Sequence, residues 1–129
     1  MPTPISLEAD RIAKTIVDAA FRVHSTLGPG LLESVYEACL EHELRKRGMT
    51  IRRQVTVPVV YDDIRIDEGF RIDLLVENQI VVEIKAAERA LPVFEAQLLT
   101  YLKLTRLRLG FLINFNVAQI KDGLRRIAL

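Results

Sequence analysis

Apolar residues recur at helical spacing from Leu7 to about Leu27, at Ile16, Val17, Ala20, Val23 and Leu27, which predicts an amphipathic helix. Ser6 ahead of Glu8, Ala9 and Asp10 supplies an N-cap and an acidic first turn. Gly28-Pro29-Gly30 ends that helix. A second helical stripe follows from about Leu31 to Arg47, with Leu32, Val35, Tyr36, Cys39, Leu40 and Leu44 on one broad face. Its basic end, Arg45-Lys46-Arg47, suits the negative pole of the helix dipole, and Gly48 serves as C-cap. Beyond Gly48 the period changes to two. Val-rich Ile51 to Tyr61 reads as a strand that Pro58 places at an edge or bulge. Ile64 to Val76 and Ile80 to Ala86 read as two more, with turns at Asp62-Asp63 and Glu77-Asn78-Gln79. Pro92 opens a helix running to about Leu104, Leu107 to Asn114 is a buried strand, and Ile120 to Ile127 reads as a short terminal helix. The order α, α, β, β, β, α, β, α predicts a small α/β or α+β domain around a mostly antiparallel sheet, with residues 1–129 as one domain.

Composition narrows this further. The chain has 129 residues, 50% hydrophobic and 27% charged, enough apolar content to offset the entropy of ordering one core. Eighteen Lys and Arg against 17 Asp and Glu give a net charge of +1, which argues against a binder held to nucleic acid by bulk charge. The single cysteine, Cys39, excludes an intramolecular disulfide and a cysteine-built zinc site, and reads as a small buried hydrophobe. Met1-Pro2-Thr3-Pro4-Ile5-Ser6 has no basic or apolar leader pattern, and no apolar stretch approaches the ~20 residues of a membrane span. A soluble cytoplasmic protein with no membrane contact is expected.

The candidate chemistry lies on the second hairpin. Glu83 and Lys85 are two apart on a strand and share a face, with Val82 and Ile84 on the other. A three-residue loop, Glu77-Asn78-Gln79, pairs Val76 with Ile80 and, counting back, sets Asp73 opposite Glu83. A two-residue loop would send the two carboxylates to opposite faces. Opposed carboxylates stand roughly 4.5–5.5 Å apart at Cβ and repel. A divalent cation such as Mg²⁺ or Mn²⁺ relieves that repulsion, because it takes oxygen ligands and completes its shell with water and phosphate. Lys85 beside it could steady developing negative charge. A solvated strand face carrying a Glu–Lys neighbour pair is the plainer reading of the same spacing.

Asp73 followed by Glu83-Ile84-Lys85 resembles the D-x(n)-(D/E)-x-K signature of the PD-(D/E)xK nuclease superfamily, with Ile72 in place of the proline. Gly30-Leu31-Leu32-Glu33-Ser34-Val35-Tyr36 is similar to the segment that names the GxxExxY family within it. Gln97-Leu98-Leu99-Thr100-Tyr101 is similar to the Q-x-x-x-Y element of the RecB-like branch. The resemblance implies a restriction-endonuclease-like αβββαβ core, here with an extra N-terminal helix and a short C-terminal one. It implies a metal-dependent nuclease hydrolysing DNA, ahead of RNA, through a metal-activated water, with structure-selective cutting and homodimers known among small members. Asp73 and Glu83 would bind the metal, Lys85 would orient or activate water, and Glu33 would reach the ion directly or through water. Gln97 and Tyr101, one helical turn apart, would support the site or touch substrate phosphate.

Arg45, Lys46, Arg47, Arg52 and Arg53 form one basic group, and Arg106, Arg108, Lys121, Arg125 and Arg126 another. Either could clamp phosphate without reading sequence; Arg52 and Arg53 are the substrate-binding candidates, and Arg45 to Arg47 read as a solvated helix end. Tyr36 reads as a core aromatic with a wet hydroxyl, and His24 as a structural histidine on the apolar stripe. The competing reading is a catalytically silent nucleic-acid-binding or scaffolding domain with the same fold.

Overall fold

Ser6 opens the first helix as its spacing predicts: Ser6 Oγ accepts the Ala9 N–H at 3.0 Å, and α1 spans Leu7–Leu27. The computed structural model describes residues 4–129; Met1, Pro2 and Thr3, part of the stretch read for a leader, lie outside the described residues. After α1 come α2 (Glu33–Lys46), β1 (Ile51–Tyr61), β2 (Ile64–Val76), β3 (Ile80–Lys85), α3 (Pro92–Thr105) and β4 (Leu109–Asn114). A 3₁₀ turn (Ile120–Asp122) and β5 (Leu124–Ala128) complete the chain. No helix among the described residues is long and apolar enough to cross a membrane.

The five strands lie in sequence order, β1-β2-β3-β4-β5, and only the β3–β4 pair is parallel. A parallel pair needs a crossover, and α3 provides it. Helices α1 and α2 cover one face, packing Ile16, Tyr36 and Leu40 on Ile80, Val82, Ile84, Phe111 and Ile113. Helix α3 covers the other, with Leu98 and Leu102 on Val81, Leu112 and Ile72. Strands buried on both faces carry continuous apolar runs, which is why β3 and β4 read as Ile-Val-Val and Phe-Leu-Ile. Tyr36 is fully buried and stacks on Phe115 at 4.6 Å. Its hydroxyl is not wet: it donates to the Gly28 carbonyl at 2.6 Å and accepts the Leu31 N–H, closing the loop between α1 and α2. His24 is structural, its Nε2 donating to the Val117 carbonyl at 2.8 Å. Cys39 is half-buried at the edge of the core rather than inside it.

The three-residue turn sets the expected register, Val76 with Ile80 through Leu74 with Val82. Pro58 sits on the edge strand at a register shift between Val57 and Val59, satisfying both readings of that proline. Beyond the shift the hairpin tip is exposed, including Tyr61 (70%), Ile64 (57%) and Ile66 (47%).

The terminal helix expected over Ile120 to Ile127 does not form. One 3₁₀ turn is followed by a strand that caps the open edge of β4, pairing Leu109 with Ala128 and Ile113 with Leu124. Pairing satisfies backbone groups of a strand otherwise left at the sheet edge, and that tertiary gain overrides local helical preference. Gly123 marks the switch. A Cβ there would fall on the carbonyl oxygen of Asn114, whose own N–H bonds the Gly123 carbonyl at 2.8 Å. Gly123→Ala should therefore cost about 3 kcal/mol or more, read as a lowered urea midpoint. An unfolding free energy within about 0.5 kcal/mol of wild type would show that this contact relaxes freely.

Candidate active site

The β2–β3 ladder stops at Leu74 and Val82, one step short of the two acidic residues. Side chains take over from there. Glu83 Oε2 accepts the Asp73 N–H at 3.0 Å, and Asp73 Oδ2 accepts the Ile84 N–H at 2.9 Å. The carboxylates thus interlock across the gap between the strands, each held by the other strand's backbone. Asp73 and Glu83 come together as the register count requires, though as a side-chain clasp in place of a regular cross-strand pair.

Burial makes the clasp electrostatically costly. Glu83 is 4% exposed, and desolvation, followed by the charge of Asp73, pushes its carboxyl up to about 9. At neutral pH and without a cation, burial and mutual repulsion therefore favour one shared proton on the pair. Glu33, exposed at the first turn of α2, is also raised, first by burial of its carboxyl and then by Asp73, with Lys85 opposing. Tyr101 is raised by burial and by the charges of Glu83 and Asp73, partly offset by a hydrogen bond with Gln97. One negative field thus reaches β2, β3, α2 and α3.

Lys85 shares the α3-facing side of β3 with Glu83. Its Nζ donates to Gln97 Oε1 at 3.3 Å and sits 4.7 Å from the centre of the Phe94 ring. Helix α3 therefore holds the ammonium by an amide and an aromatic face, which places Gln97 beside Lys85. Tyr101, one turn along, stacks on Phe70 of β2 at 4.3 Å. The segment after Lys85 is pinned by the buried Asn114, whose Oδ1 accepts the Ala87 and Asn116 N–H groups and whose Nδ2 donates to the Ala87 carbonyl. A cavity of about 110 Å³ opens beside Lys85, walled in part by Arg89, Phe94, Asn114 and Arg125.

The arginines differ in their ion pairing. Arg53 Nε donates to Glu37 Oε2 at 2.6 Å, and its Nη1 lies 3.5 Å from Glu41. Arg52 stays exposed on β1, opposite Leu75. Arg45, Lys46 and Arg47 pair with Glu41 and Glu43 along their own helix. Arg126 pairs with Asp10 at 2.6 Å, and Arg125 lies 3.7 Å from Glu95.

The oxygens of Asp73 and Glu83 suit a hard divalent ion, since each carboxylate retains lone pairs beyond those its backbone donors use. Among the described residues, no three His, Cys, Asp or Glu side chains gather as a ready-made cage. Asp73 and Glu83 stand as a pair, with Glu33 near enough to feel the charge of Asp73. Sequence reasoning missed Phe94, Asn114, Glu37 and Gln54. Glu37 lies one turn beyond Glu33 on the same helical face, a signal that could have flagged it; for Gln54 the chain gives none.

Residues 10–127 match a family model described as the PD-(D/E)XK nuclease superfamily. No curated protein and no solved structure gives a significant match.

Proposed function

Because the chain belongs to the PD-(D/E)XK nuclease superfamily, whose members generally use divalent metals, we propose that it is a phosphodiesterase that hydrolyses DNA with Mg²⁺ or Mn²⁺. The observation that carries this reading is the Asp73–Glu83 clasp with Lys85 beside it, a costly arrangement of like charges that a cation turns into a favourable one. Bound there, a divalent ion would acidify water and neutralise phosphate charge. Asp73 and Glu83 hold it, and Glu33 completes the oxygen set from the start of α2, directly or through water. Lys85, held by Gln97 and Phe94, points its ammonium at charge developing on the phosphate. Gln97 and Tyr101 line the substrate side, and exposed Arg52 meets the phosphate backbone. The chain works as one domain, in the cytoplasm, and a second copy or a partner protein extends its grip beyond a few base pairs.

Titration calorimetry with Mn²⁺ tests the reading. Wild type should bind, and Asp73→Ala should bind more weakly by two orders of magnitude or so, because one of two direct carboxylates is gone. Equal negligible heats in both proteins, with no cleavage of plasmid, single-stranded or branched DNA, would favour the silent nucleic-acid-binding scaffold instead.

A further inference from the structure

Between Ile51 and Val57 the β1–β2 ladder misses one step, at Gln54 and Asp73. Arg53 pairs with Leu74 and Val55 with Ile72, while Gln54 and Asp73 between them do not pair. Gln54 stands at φ 53°, in the left-handed region that side-chain-bearing residues avoid, inside a strand. Across the same step β2 changes face: Leu74 packs in the core under α1 and α2, Ile72 in the core under α3. Residues two apart on a regular strand share a face, so Asp73 sits at a local crossover.

The defect has a directed result. Gln54 Nε2 donates to Glu37 Oε1 at 2.7 Å and reaches Asp73 Oδ1 at 3.3 Å. Glu37 is buried, and its other oxygen is taken by Arg53. One amide therefore bridges helix α2, which carries Glu33 one turn earlier, to the carboxylate that clasps Glu83. A regular strand residue would need no left-handed backbone at this step. Strain kept where it aims a side chain at a site is commonly part of that site's preorganisation.

We infer that Gln54 is a positioning residue: it sets Asp73 against α2, and so sets the separation between Glu33 and the Asp73–Glu83 pair. The inference rests on the metal-site reading above. Its test is Mn²⁺ titration of the metal-free protein, paired with urea unfolding, for wild type and Gln54→Gly. Glycine accepts φ 53° without strain and removes the side chain that carries the amide. Gln54→Gly should thus unfold at a urea midpoint no lower than that of Gln54→Ala, yet bind Mn²⁺ about tenfold more weakly than wild type. A purely structural role would move affinity and stability together. If Gln54→Gly does not fold, Gln54→Asn decides: asparagine tolerates the left-handed region, but its shorter side chain cannot span both carboxylates. Wild-type binding with either folded variant within twofold of it would overturn the positioning role and leave the metal site standing. Absence of Mn²⁺ binding by wild type would overturn both.

Discussion

Lys85→Ala should reduce DNA cleavage by on the order of 10²–10³-fold while Mn²⁺ binds as tightly as in wild type or more tightly. The ammonium is not a ligand; it is a positive charge beside the site, so removing it lifts a mild repulsion toward an incoming cation. Its loss matters when negative charge builds on the phosphate, where a preoriented donor in a partly desolvated site has its largest effect. The orientation comes from α3, since Gln97 Oε1 accepts from Nζ and Phe94 lies under it. Cleavage assays under saturating Mn²⁺, with calorimetry on the same protein, separate the two effects. Metal affinity falling together with cleavage would mean that Lys85 helps build the ion site and that its role here is wrong.

Without divalent cations, the protein should lose stability as the pH rises from 5.5 to 8. The Glu83 carboxyl sits at about 9 in the folded chain against 4.5 when unfolded, so between those values the folded state keeps a proton that the unfolded state has released. Stability is then highest near the lower end and falls with rising pH, by at most about 1.4 kcal/mol per unit. Ordinary carboxylates have already ionised at pH 5.5 and contribute little there. Urea unfolding in EDTA at four pH values measures the slope, and Glu83→Gln should flatten most of it. Added Mn²⁺ should reverse the trend, because cation and proton compete for the same oxygens and binding releases the proton. A metal-free stability that is flat or rising across this window, in wild type as in Glu83→Gln, would mean that burial of Glu83 is relieved in solution.

Much of the site could be read from residue order because short-range rules govern it. A three-residue turn dictates register, and register brings Asp73 toward Glu83. Strand periodicity puts Lys85 on Glu83's face, and helical periodicity puts Gln97 and Tyr101 one turn apart. What residue order left hidden depends on distant segments. Gln54 looks like any polar strand residue until β1, β2 and α2 meet, and only then does its left-handed backbone acquire a reason. Arg53 and Arg52 are adjacent, chemically alike and both exposed, yet it is the first that pairs with Glu37 and Glu41 of α2. At the C-terminus the local pattern favours a helix, but the free edge of β4 offers backbone pairing that an isolated helical turn cannot match.

The sequence by itself determined the element order up to β4, the hairpin register and the set of chemically capable residues, because turn length and periodicity act over a few positions. The tertiary structure decided the carboxylate clasp across the parted strands, the burial that favours one shared proton on that pair, the choice between two neighbouring arginines and the fifth strand. Each of those depends on which segments meet in space, where desolvation and unpaired backbone groups outweigh any local preference.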